Sequence, residues 1–189
     1  MIFITMLVRG AVLAAAAGGA LGTMKGCDSR GAKSSATTTN GIPDFTNVSI
    51  GGTTFNLEVV ATDEKRFKGL SGRTEIPEKG GMIFVFPNTE QRYFVMRDCP
   101  ITIDIIFLDA AMKVTATHEM KPEPPRTEAE KIIDPRLQSN QQYEERLKKY
   151  HSRFPAQYVI ELREGSLAKL GLKEGQKLEI DPVLKKVAK

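Results

Sequence analysis

The sequence predicts a mainly β domain with a minor α component: a small barrel or sandwich of about seven short strands with two or three short helices. Three observations point there. Apolar residues alternate with polar ones over short runs, as Phe55, Leu57 and Val59 do against Thr54, Asn56 and Glu58. Turns containing Gly or Pro break the chain at short intervals. Helical spacing is confined to a few short stretches. The 189 residues, 41% hydrophobic and 26% charged, suffice for one domain with a real core. That composition excludes wholesale disorder, a polytopic membrane protein, a collagen-like repeat and a coiled coil. Two Cys are too few for a Cys₄ zinc site, and no metal or cofactor is expected.

Residues 1–26 read as a signal peptide. Arg9 precedes a weakly apolar stretch, Gly10 to Thr23, and Gly26 supplies the small residue before a cut. A start at Met6 would leave Met-Leu-Val-Arg as the basic flank. Gly26-Cys27 resembles the lipobox of bacterial lipoproteins, whose cysteine is acylated and becomes the new N-terminus, although Met24 and Lys25 depart from that pattern. Cys27 is therefore the expected lipidation site and membrane lipid the expected partner. The expected location is the bacterial membrane, facing the periplasm or the cell exterior. Asp28 resembles the signal that retains lipoproteins in the inner membrane. Residues 27–43, rich in Ser, Thr, Gly and Ala, read as a flexible tether. Processing removes Arg9 and Lys25 and no acid, so the formal charge of +4 is halved. No basic stripe with interleaved aromatic residues occurs, and no nucleic-acid partner is expected. With Cys27 acylated, Cys99 is the lone thiol and an internal disulfide is excluded.

Residues 44–184 make up the domain. Val48 to Ile50, the turn Gly51-Gly52 and Thr53 to Val60 form a hairpin. Thr62 caps a short helix from Asp63 to Leu70, with acids in its first turn. Met82 to Phe86 is an apolar run suited to a buried strand, and Tyr93 to Met96 and Ile101 to Leu108 continue the strand pattern. Asp109 to Met112 turns the chain into the strand Lys113 to Met120. An insertion spans 121–156. Pro122, Pro124 and Pro125 forbid regular structure at its start. Asp134-Pro135 then reads as the start of a helix running to about Tyr150, with an apolar stripe of Tyr143, Leu147, Tyr150 and Phe154. Tyr158 to Arg163 is a strand, Ser166 to Gly171 a short helix, and Lys177 to Ile180 a last strand. Residues 185–189 read as a basic tail.

Asp104 is the most informative polar position. In a strand from Ile101 to Leu108 it shares a face with Thr102, Ile106 and Leu108, and a carboxylate there needs a partner. Arg66, Arg73 and Arg97 are the available cations. Two readings stand: an ion pair that braces the fold, or a ligand-holding or catalytic carboxylate. His118 falls on an apolar face with Val114, Ala116 and Met120, which fits either a core histidine or a base. Glu161 reads as solvent-facing, and His151 has no assigned role. Cys99 has Arg97 two residues away but Asp98 beside it, an arrangement that does not favour a thiolate. No nucleophile elbow, zinc-helix motif, Walker A loop or dinucleotide fingerprint occurs.

Five stretches appear in a telling order: Arg66-Phe-Lys-Gly-Leu70 with Arg73, Gly81-Met-Ile-Phe-Val-Phe86, Phe94-Val-Met-Arg97, Ile103-Asp-Ile105 and Tyr158-Val-Ile-Glu-Leu162. Together they resemble domain of unknown function family 192, over roughly residues 46–181 apart from the insertion. The resemblance implies a small β-rich domain, often exported, with no settled activity to transfer. Ser71, Val95, Arg97, Asp98-Cys99 and Thr102 stand where that family's pattern has Met, Trp, Lys, Asn-Thr and Pro. The expectation is a monomeric, lipid-anchored module that binds a small ligand or an envelope protein without covalent chemistry. Its site would be a polar patch of Arg66, Arg73, Arg97 and Asp104. One alternative is an envelope hydrolase using Asp104 and His118 as acid and base. The other is an accessory protein docking through the helix at 135–150.

Overall fold

The Gly51-Gly52 turn has positive φ at both residues, 56° and 80°, as a two-residue hairpin of matching twist requires. It joins the first two strands of a six-stranded sheet in a computed structural model that describes residues 38–39, 42–136 and 139–187. The signal segment, Cys27 and most of the tether lie outside the described residues.

In chain order the elements are β1 (Thr38–Thr39), β2 (Ile42–Pro43), β3 (Phe45–Ile50), β4 (Thr53–Val60), α1 (Asp63–Lys68), β5 (Met82–Glu90) and β6 (Tyr93–Phe94). There follow β7 (Ile103–Leu108), β8 (Val114–Met120), a 3₁₀ turn (Ala129–Lys131), α2 (Gln141–Arg146) and β9 (Tyr150–His151). The chain closes with β10 (Ala156–Arg163), α3 (Ser166–Leu170) and α4 (Pro182–Val187). The large sheet runs β3-β4-β5-β10-β7-β8, antiparallel except where β4 meets β5. The domain is thus mainly β, as expected, but the sheet does not close into a barrel. The last predicted strand is reduced to two single bridges, Lys177 to Lys113 and Glu179 to Ser49. They touch both ends of the strand order without forming a ladder.

Both faces of the sheet are covered. One core gathers Leu57, Ile83, Ile106 and Ile160 under α3 and α4; the other gathers Leu70, Phe84, Ile105, Phe107 and Val159. Central strands buried on both faces need apolar residues at consecutive positions. That explains why all six residues of β7 are buried. Fully burying one such side chain is worth about 1.5–3 kcal/mol.

Four local expectations change. The helix expected from Asp134 to Tyr150 shrinks to α2, which Asn140 caps by accepting from the Tyr143 amide. Asp134 instead closes a turn on the Arg136 amide and bridges to Ser139. Tyr150 belongs to β9, paired with β6. Tyr143, Leu147 and Tyr150 still point inward, whereas Phe154 is exposed, so α2 keeps no free apolar stripe for docking. A register shift at Phe107/Leu108 places Val114 opposite Leu108 and Ala116 opposite Phe107. Val114 and Ala116 therefore enter different cores, against the single face expected. Lys185 and Lys186 lie in α4, whose Leu184 is fully buried, rather than in a tail. The end of the expected tether is the β1–β2 pair, and Ile42 packs on the first core.

Candidate functional site

Glu161 lies on β10 between Met82 of β5 and Ile105 of β7, its cross-strand partners. Both partners belong to the second core, so the side chain enters that core. It is 5% exposed, and its Oε2 has no hydrogen-bond partner among the described residues. Burial pushes its carboxyl up to about 8; only Arg73 opposes, by its charge. The expected solvent-facing Glu161 is therefore corrected. Its strand is central and the face opposite Tyr158, Ile160 and Leu162 is covered rather than wet. The sequence did carry a signal, since Val159 on that same face is apolar.

Glu161 lines a cavity of about 380 Å³. Phe84, Phe86 and Phe94 form one wall, with Phe94 edge-on to Phe84 at 4.9 Å and to Phe86 at 6.5 Å between ring centroids. Leu70, Met96, Cys99 and Ile103 add apolar lining. Asp63, Arg66, Phe67 and Lys68 come from α1, and Arg97 from the loop after β6. Thr62 sets the start of α1 by accepting from the Lys65 amide, and Gly69 ends it at φ 48°.

Arg66 is pinned. It donates to the carbonyls of Val85 and Ala61 and to Asp63, with its guanidinium 4.9 Å from the Phe86 ring centroid. Arg97 donates through Nε and Nη2 to Glu144 at 2.6 and 2.7 Å and through Nη1 to the Phe67 carbonyl. Its neighbour Asp98 pairs with Arg126, which holds that carboxyl below the usual range. The insertion thus clasps the loop at Arg97 and Asp98, two of the positions where the chain departs from the family pattern. Cys99 donates to the Leu70 carbonyl at 3.3 Å, and burial, with Glu161 and Asp98 nearby, pushes its thiol up to about 12. It is no nucleophile at neutral pH.

The expected four-residue patch does not assemble. Arg66 and Arg97 share the cavity, while Arg73 pairs with Glu58 in a neighbouring hollow of about 320 Å³ that meets the first at Leu70. Asp104 lies across the sheet. Its neighbours on that face, Ile106 and Leu108, belong to the first core, and its Oδ2 accepts from the Leu167 amide at 2.8 Å. Gly165 at the N-cap of α3 has no side chain to do this, so Asp104 supplies the cap from a strand. Burial pushes the Asp104 carboxyl up, and the amides of Leu167 and Ser166 work against that. Asp104→Ala is expected to lower stability by about 1–2 kcal/mol in urea unfolding, the range of a lost N-cap. An unchanged midpoint would refute the capping role.

The hydrolase pair fails for the same reason. His118 stands opposite Ile105 and Asp104 opposite Glu119, so the two side chains leave the sheet on opposite faces. His118 Nε2 lies 2.8 Å from the His151 carbonyl, and its ring packs against Tyr150 and Phe107. It joins β8 to β9 rather than meeting an acid.

A family model described as Uncharacterized ACR matches residues 46–180, well over half of the chain. The chain belongs to the DUF192 family. Two solved structures share the fold seen here. One, a protein of unknown function from Novosphingobium aromaticivorans DSM 12444, is 26% identical with a TM-score of 0.53, covering 71% of this chain and 83% of that one. The other, titled a candidate transcription regulator from Sinorhizobium meliloti 1021, is 23% identical with a TM-score of 0.51, covering 72% and 91%. At that identity the second likeness concerns the fold alone. No curated protein matches the chain. Among the described residues, no helix is long and apolar enough to cross a membrane.

Proposed function

We propose that this DUF192 domain is a non-catalytic module that binds a small molecule in the Glu161 cavity. We further propose that acylated Cys27 holds it to the envelope membrane. The observation that carries the binding reading is Glu161 Oε2, enclosed and without a partner among the described residues. An unsatisfied buried polar group costs about 1–3 kcal/mol, and a ligand that bonds it removes that cost. The cavity volume, about 380 Å³, lies within the range of small-molecule sites, and its lining joins three Phe rings to charged groups that can orient a ligand. The chemistry of the lining supports binding over catalysis. The Cys99 thiol stays protonated, and the Arg66 and Arg97 guanidinium groups are held by the fold. Support for the anchor is the Gly26-Cys27 junction after an apolar stretch.

The test is a thermal-shift screen of the full chain in detergent against small molecules, repeated with Val95→Trp. Val95 lines the cavity and is half-buried, so a much larger side chain there competes for the cavity's space. Ligands that raise the wild-type Tm are expected to lose at least tenfold in affinity with Val95→Trp. If every such ligand binds both proteins equally, the cavity is not the site.

A further inference from the structure

We infer that the ligand is a flat, largely apolar molecule with an anionic group at one end and a hydroxyl or carbonyl oxygen at the other: the class of ring-hydroxylated aromatic carboxylates. This rests on the cavity being a binding site. Three features of the lining divide the work along the molecule.

The first is the inner end. Glu161 is more than nine-tenths buried, flanked by Met82 and Ile105, and its Oε2 lacks a partner among the described residues. The carboxyl, pushed up to about 8 by burial, is mostly protonated at neutral pH and has a proton to donate. A ligand oxygen satisfies it. A ligand anion placed there would have to lose its hydration beside apolar side chains, which is costly.

The second is the wall. Phe94 is set nearly perpendicular to both Phe84 and Phe86, with interplanar angles of 85° and 87°. Such a wall offers both ring faces and ring edges, and a flat π-system can stack on one and meet the other edge-on. Both cations near Phe86 are already supplied by the protein, Arg66 at 4.9 Å and Arg92 at 3.6 Å from its centroid. A ligand cation is therefore superfluous at that ring.

The third is the outer end. Arg66, Lys68 and Arg97 line the cavity, against Asp63 as the one acid besides Glu161, and Asp63 is taken by Arg66. Lys68 makes no ion pair with a described residue and is exposed. Arg97 uses three of its five N–H groups on Glu144 and Phe67, which leaves two. This end is net positive, and its free donors suit a carboxylate. Exposed Phe67 and Tyr93 rim the same opening.

The experiment titrates the full chain in detergent, by calorimetry at pH 7, with four probes: 4-hydroxycinnamate, cinnamate, methyl 4-hydroxycinnamate and tyramine. Wild type is expected to bind 4-hydroxycinnamate at least tenfold more tightly than cinnamate, which lacks the inner oxygen. The ester, which lacks the anion, is expected to lose at least tenfold as well. Glu161→Leu is expected to erase the preference for the hydroxyl, and Lys68→Ala, on the exposed rim, to shrink the preference for the acid over the ester. Wild-type comparisons alone decide the matter if Glu161→Leu does not fold. Equal binding of cinnamate and its hydroxylated form, or tighter binding of tyramine, overturns the assignment. So does the failure of all four probes while another small molecule binds wild type and is lost with Val95→Trp; the cavity reading then survives. If Val95→Trp weakens no small molecule that binds wild type, the cavity reading itself falls, and the assignment with it.

Discussion

Glu161→Gln is expected to remove most of the fall in stability that the wild-type domain undergoes between pH 5 and pH 8. The sign follows from the protonation states. Unfolded, the carboxyl titrates near the ordinary glutamate value of 4.5; folded, burial pushes it up to about 8. Between those values the folded chain holds a proton that the unfolded chain has released, so stability declines as pH rises. Below about pH 4.5 both states are neutral there and the group exerts no penalty. The penalty is nearly complete by about pH 8 and levels off above it at about 5 kcal/mol for a separation of this size. A glutamine does not ionise, so the stability difference between Glu161→Gln and wild type should widen with pH. Urea unfolding at several pH values measures it. A difference that stays constant from pH 5 to pH 8 would show that Glu161 is solvated in the folded domain.

Gly81→Ala is expected to cost more than about 3 kcal/mol or to prevent folding. Gly81 sits at φ 148°, where side chains are rarely tolerated, immediately before β5. A Cβ there would penetrate the carbonyl oxygen of Glu161 and press on Leu57 and Leu162 at 3.0 Å. The neighbours cannot yield, because one is backbone of the central strand and both leucines are fully packed. The Gly81 carbonyl also accepts from the Glu58 amide at 3.0 Å, which continues the parallel contact between β4 and β5. Moving the glycine would therefore disturb both that pairing and the strand that presents Glu161. Far-UV circular dichroism with urea titration tests this; a loss below about 1 kcal/mol would mean that the backbone there is free to relax.

Much of the architecture was legible because local rules suffice for it. Gly51-Gly52 requires a tight hairpin, Thr62 caps α1, and Gly171 ends α3. The two faces of β7 were separable by alternation alone, with Asp104 on one side and Ile103, Ile105 and Phe107 on the other. The short α2 was not legible. Tyr143, Leu147 and Tyr150 are spaced for a helix face, yet the chain after Arg146 buries Leu147 and Tyr150 from an extended conformation. Spacing of three and four marks what is buried, and does not by itself choose the backbone that buries it.

The candidate site divides the same way. Arg66 and Arg97 drew notice as charges among apolar positions and do line the cavity, but their partners, Val85, Ala61 and Glu144, lie 19, 5 and 47 residues away. Asp104 drew notice for the same reason and serves a helix end instead. Glu161 reads as solvent-facing from the sequence, because whether a strand residue meets water depends on what covers its face, and that cover is built by residues of the loops at 70–76 and 96–101. By itself the sequence determined a β-rich domain of the DUF192 family, the faces of its central strands and the turns that join them, since dihedral preference and period-two alternation act within a few residues. Only the tertiary structure decided which carboxyl is capped and which is left unpartnered. Burial and hydrogen-bond partnership are relations between segments far apart in the chain.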